Sequence, residues 1–170
     1  MSTSYRRILV PIDGSPTATR GLDEAIGLCK ATGGSIRVLH VMDDLVFVSG
    51  YERGATYARD VVPELRQRSE QLLEAGRKRV EAAGVAADKV LIECFARRTS
   101  ELVCEQAIAW QADLIVVGTH GRRGVRRMML GSDAEQIVRE APVPVLVVRA
   151  PEAAVATAAR ATAPAVTAIA

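Results

Sequence analysis

The stretch GTHGRRGVRRMMLGSDAE, from Gly118 to Glu135, holds four glycines and four arginines and has no acid before Asp133. Glycines let backbone N–H groups come close to an anion, because no Cβ intervenes. Arg122, Arg123, Arg126 and Arg127 supply positive charge. A helix beginning near Ser132 would aim its free N–H groups and the positive end of its dipole at the same place. Together these residues describe a site for an anion, with phosphate the natural candidate. Ser132-x-x-Glu135 also reads as a capping box, with Asp133 in the first turn where acids are favoured. That second reading would satisfy the helix start with no ligand at all.

Around this loop, strand-like and helix-like segments alternate. RILVPID (Arg7–Asp13) is a β-branched run that ends in turn chemistry. Ser15 is the expected N-cap of the following helix, with Pro16 at its first position and Gly33–Gly34 at its close. Strands are expected over Ser35–Met42, Lys89–Ala96, Asp113–Thr119 and Val143–Arg149. Helices are expected over Pro63–Ala83, Thr99–Gln111 and Ser132–Ala141. Thr99 or Ser100 is the expected cap of the middle one. Residues 43–59 show no clear period and could form a lid carrying Phe47, Tyr51 and Tyr57. The tail Ala150–Ala170 is almost all small residues and is expected to be disordered. Strict alternation predicts one α/β domain over 1–149, a five-stranded parallel doubly wound sheet with helices on both faces and order 3-2-1-4-5.

In such sheets ligands bind beyond the carboxyl ends of the strands, where the chain order reverses. That point falls between strands 1 and 4, whose carboxyl ends are Asp13 and Gly118. Asp13 could accept a bond from a ribose hydroxyl, or it could simply organise the Asp13-Gly14-Ser15 turn. Two common phosphate motifs are excluded. No lysine follows the glycines as the P-loop requires, and the first strand is followed by a single glycine rather than G-x-G-x-x-G.

Gly118-x-x-Gly121, nine residues, then Gly131-Ser132 resembles the G-x2-G-x9-G-[S/T] signature of the universal stress protein family. ILVPIDGS and VPVLVVR resemble that family's first and last strands, and the resemblance runs from residue 5 to 149. Members with the full signature bind ATP, so the resemblance implies an ATP-binding, homodimeric stress-response protein with the nucleotide as a regulatory switch. It implies that Pro11 and Asp13 flank adenine and ribose, and that Val41 contacts adenine. Gly118, Thr119, His120, Gly121, Arg122 and Gly124 would wrap the phosphates, and Gly131, Ser132, Asp133 and Ala134 would close over them. Asp133 stands where the family more often has a small or apolar residue. Mg2+ or Mn2+ would accompany the phosphates, and two copies would pair through Val143–Val148.

Composition bounds the alternatives. The chain has 170 residues, is 49% hydrophobic and only 4% aromatic, so its core must be aliphatic. A net charge of +2, with no aromatics among the loop arginines, argues against a nucleic-acid partner. The three cysteines lack C-x-x-C spacing, no apolar run is long enough to span a bilayer, and the expectation is a cytoplasmic protein with reduced thiols. Cys29, Cys94 and Cys104 are expected to be buried apolar groups. His40 lies in a strand and reads as a hydrogen-bonded structural residue. His120 reads as either a phosphate contact or a loop brace. Two rival functions remain open: a slow metal-dependent ATPase, and a nucleotide-free protein that works through its dimer surface.

Overall fold

The computed structural model describes residues 5–43, 62–94, 97–119 and 130–149. Among the described residues the elements follow one another as β1 (Arg7–Pro11), α1 (Pro16–Thr32), β2 (Ser35–Asp43), α2 (Val62–Ala82), β3 (Ala86–Cys94), α3 (Thr99–Ala109), β4 (Leu114–Gly118), α4 (Ser132–Glu140) and β5 (Val145–Val148). The five strands form one sheet in the order β3-β2-β1-β4-β5, and every pair is parallel. The expected fold class and strand order are therefore observed. Residues 44–61, which include most of the expected lid, and the tail 150–170 lie outside the described residues.

Alternation along each strand divides the core in two. Ile8 and Val10 of β1, Ile36 and Val38 of β2, and Leu114 and Val116 of β4 pack with Leu22, Ala25 and Ile26 of α1 and Leu73 and Val80 of α2. On the other face, Leu9, Leu39, Ile115 and Val117 pack with Val103 and Ala107 of α3 and Ala134 and Ile137 of α4. The buried residues are overwhelmingly aliphatic, as the shortage of aromatics requires. Each fully buried Leu or Ile side chain contributes about 1.5–3 kcal/mol relative to exposure.

Several element ends differ from the sequence reading. β3 starts at Ala86 rather than Lys89, because pairing with Ser35–Arg37 recruits residues of poor strand propensity. β1 stops at Pro11, and β5 is confined to Val145–Val148. The N-cap of α3 is Arg98, which puts Thr99 and Ser100 inside the first turn rather than at the cap. Ser15 does cap α1, its Oγ accepting from the Ala18 N–H at 3.2 Å.

Ion pairs fasten the exposed layers. Arg79 of α2 grips Asp23 of α1 with two bonds of 2.7 and 2.9 Å. The edge strand β3 is charged along its length: Asp88 pairs with Arg37, Lys89 with Glu70 and Glu74, and Glu93 with Arg66. Exposed pairs of this kind contribute little individually. At the amino end of the sheet the guanidinium groups of Arg7 and Arg37 each lie over the Trp110 ring, 4.8 and 4.9 Å from its centroid.

Asp113 locks the same end. Its carboxylate accepts from the backbone N–H groups of Arg6 at 2.8 Å and Arg7 at 3.0 Å, fixing where β1 enters beside β4. Asp113→Ala is expected to lower stability by about 1.5–3 kcal/mol, the usual range for hydrogen bonds to a charged group. Chemical denaturation of the variant checks this, and an unchanged midpoint would mean that water replaces the carboxylate at no cost.

Candidate functional site

The site is built where β1 and β4, neighbours at the centre of the sheet, release their chains. Past Pro11, the Ile12 N–H donates to the Leu39 carbonyl at 2.8 Å, and the Ile12 carbonyl accepts from His40 Nδ1 at 2.6 Å. Asp13 follows and is half-buried. Its Oδ1 accepts from the Ser15 N–H at 2.9 Å across Gly14, whose φ of +82° suits a residue without a Cβ. The turn-organising reading of Asp13 is thus realised. Val41 lies at the end of β2, partly buried against the cluster under α3 and α4.

On the β4 side, Gly118 presses its backbone into the first turn of α1. A Cβ built there would stand 2.8 Å from the Thr17 carbonyl carbon and 2.9 Å from the Ala18 nitrogen. Thr119 is buried, its N–H donating to the Val148 carbonyl at 2.9 Å. The Thr119 carbonyl in turn accepts from the Gly131 N–H at 2.8 Å. Both ends of the glycine loop are therefore tied to each other, and the Thr119 end to β5. His120, Gly121, Arg122 and Gly124 lie between those ends, outside the described residues.

The start of α4 corrects the capping-box reading. Gly131, not Ser132, is the N-cap, with φ −62° and ψ 150°, and makes no side-chain cap hydrogen bond. The shift of one residue moves Glu135 out of reach of the cap, and its carboxylate instead pairs with Arg139 at 3.2 Å. The first intrahelical bond runs from the Glu135 N–H to the Gly131 carbonyl at 2.9 Å. Ser132 and Asp133 are exposed while Ala134 is buried. The first-turn N–H groups of α4 thus carry the partial positive charge of a helix start with no cap from Gly131.

The structure brings Gly118, Thr119 and Gly131 into one hydrogen-bonded knot. It sets Pro11, Asp13 and Val41 on the strand ends β1 and β2. Sequence reasoning missed Thr17, whose backbone receives Gly118. His40 is the hydrogen-bonded structural residue expected, and the structure identifies the Ile12 carbonyl as its partner.

The thiols stand apart from this site. Burial pushes the Cys29 thiol up to about 11, with the nearby Asp113 charge adding to the effect. Cys104 is only partly buried, contrary to expectation, and its thiol is raised chiefly by burial and then by Glu140. The side chain of Cys94 lies outside the described residues.

A family model described as the universal stress protein family matches residues 4–149. A universal stress protein of Methanocaldococcus jannaschii is 32% identical over 149 residues, covering 87% of this chain and 84% of the relative. Among solved structures, the hypothetical protein MJ0577 aligns with a TM-score of 0.76 at 23% identity, over 88% of this chain and 99% of that one. A universal stress protein in complex with cAMP aligns at 0.60 with 22% identity, over 86% of this chain and 98% of that one. One from Archaeoglobus fulgidus in complex with dAMP also aligns at 0.60, with 20% identity, over 86% and 99%.

Proposed function

We propose that this chain, which belongs to the universal stress protein family, binds ATP as a regulatory ligand in the crevice between β1 and β4. The observation that carries the reading is the start of α4. With Gly131 at the cap and Glu135 turned to Arg139, the helix presents its first-turn N–H groups beside the end of β4. Such a terminus favours a negative charge by about 0.3–1 kcal/mol when exposed and up to about 2 kcal/mol when partly buried. The loop arginines add to that preference. Asp13 and Val41 offer a ribose acceptor and an apolar wall on the neighbouring strand ends. The cAMP and dAMP complexes of fold neighbours support an adenine nucleotide as the ligand class.

In this reading Pro11, Asp13 and Val41 hold base and ribose. The segment from Gly118 to Gly124, with Gly131, Ser132, Asp133 and Ala134, holds the phosphates. Among the described residues no group of three or more His, Cys, Asp or Glu could hold a metal ion. A Mg2+ or Mn2+ ion would be carried by the phosphate oxygens. Among the described residues no helix is long and apolar enough to cross a membrane. Two copies would pair through β5, a sheet-edge strand with Leu146 37% exposed.

Two measurements test the reading. Protein purified without added nucleotide is heat-denatured and the supernatant resolved by ion exchange; released ATP is the expected result, and ADP or AMP would move hydrolysis to the front. Calorimetric titration with ATP and Mg2+ then compares the wild type with Gly121→Leu. The variant is expected to lose at least about tenfold in affinity, or 1.4 kcal/mol, at an unchanged melting temperature. Equal affinities would remove the glycine loop from the binding site.

A further inference from the structure

The β1–β2 ladder ends with Pro11 opposite Leu39. One residue later the Ile12 N–H still reaches the Leu39 carbonyl, but the Ile12 carbonyl is held by a side chain, His40 Nδ1, at 2.6 Å. A carbonyl oxygen only accepts, so Nδ1 carries the proton of this bond. His40 is 5% exposed, and strand alternation places it on the face of Ile36 and Val38, under α2. A hydrogen bond sheltered in this way is rigid and costly to lose. It acts at the last peptide before Asp13.

We propose that His40 is a positioning residue for the ribose end of the crevice: its Nδ1–H fixes the Ile12–Asp13 peptide and so sets where the Asp13 carboxylate stands. The chain must leave the sheet here to open the crevice, and a peptide leaving a sheet loses its ladder partner. The imidazole supplies that partner from the side opposite the α3–α4 face, so β1 can diverge from β2 without its last carbonyl going unsatisfied. Asp13 then meets the ligand from a backbone held on both sides, by His40 before it and by the Ser15 N–H after it. Precise placement of this kind is what binding constellations require of their supporting residues.

This inference rests on the nucleotide reading, and the experiment separates the two. ATP and 2′,3′-dideoxy-ATP are titrated with Mg2+ into the wild type, His40→Leu, His40→Asn and His40→Gln, with melting temperatures recorded alongside. In His40→Asn the amide nitrogen falls near the position of Nδ1; in His40→Gln it falls near Nε2. The wild type is expected to prefer ATP over the dideoxy analogue. His40→Leu and His40→Gln should lose about tenfold in ATP affinity and most of that preference, and His40→Asn should keep both within about threefold. A role in stability alone would weaken both ligands by one factor and leave the preference intact, which would overturn the inference. So would equal losses in the Asn and Leu variants. If His40→Leu does not fold, His40→Gln carries the comparison. A wild type that binds neither ligand removes the nucleotide reading itself. Nitrogen NMR of the wild-type imidazole provides an independent check: Nδ1 should be protonated at neutral pH, and a ring protonated at Nε2 alone would overturn the assignment.

Discussion

Gly118→Ala should destabilise the protein, while Gly21→Ala, a few ångströms away in the same helix–strand contact, should not. At Gly118 the new methyl would stand 2.8–3.0 Å from Thr17 and Ala18, and two of the three atoms it meets are backbone. Neither the helix start nor the central strand can yield cheaply, so the expected loss is about 1–3 kcal/mol, larger still for Gly118→Val. At Gly21 the nearest atoms lie at 3.8 Å, which is ordinary van der Waals contact. There the helix interior gains about 0.5–1 kcal/mol from alanine over glycine. Thermal or urea denaturation of both variants decides the matter. Equal effects would show that the two elements slide apart without penalty. Gly118→Val should also weaken nucleotide binding, because Thr119 and Gly131 are bonded in series behind Gly118 and move with it.

Asp13→Ala should weaken ATP binding about 10–100-fold, the equivalent of roughly 1.5–3 kcal/mol for a hydrogen bond to a charged acceptor. The comparison ligand is again 2′,3′-dideoxy-ATP. If the carboxylate takes a ribose hydroxyl, wild type and variant should bind the dideoxy analogue about equally, and the loss should appear only with ATP. Asp13→Asn keeps an oxygen for the Ser15 N–H and should fall between the two, since an uncharged acceptor makes a weaker bond. A loss of the same size with both nucleotides would point to collapse of the Asp13–Ser15 turn and would take Asp13 out of ligand contact.

The alternation of elements and the sheet order could both be read from the sequence, and with the order came the point between β1 and β4 where it reverses. Ile8, Val10, Ile36 and Val38 announce strands by type and spacing. Ser15 and Pro16 announce a helix start by chemistry that is unambiguous at short range. The starts of α3 and α4 were less legible. A Ser or Thr in the first turn resembles an N-cap in sequence, and only backbone dihedrals distinguish Ser132 at the first helical position from Gly131 at the cap. That one-residue difference converts an apparently closed helix start into an open one. Ala86–Asp88 joined β3 through tertiary pairing, against local propensity. The Gly118–Thr17 contact spans about a hundred residues of chain, and the His40–Ile12 bond depends on strand register. The sequence marks His40 as a hydrogen-bonded residue, but nothing in it marks the partners, Thr17 and Ile12.

The two margins of the sheet are unlike. Along β3, Asp88, Lys89 and Glu93 are each engaged by an oppositely charged partner. A strand arriving there would have to displace those pairs or bury their charges. Along β5 stands VLVV, with no ionisable group. Joining through β5 would therefore give each copy a single sticky margin and a single guarded one. Once two copies have met, no sticky margin is left, and growth stops at two. Filament formation would require a second sticky margin, and the charges on β3 withhold it. Under this reading the ionic fringe of β3, which adds little to stability, serves as a terminator of assembly.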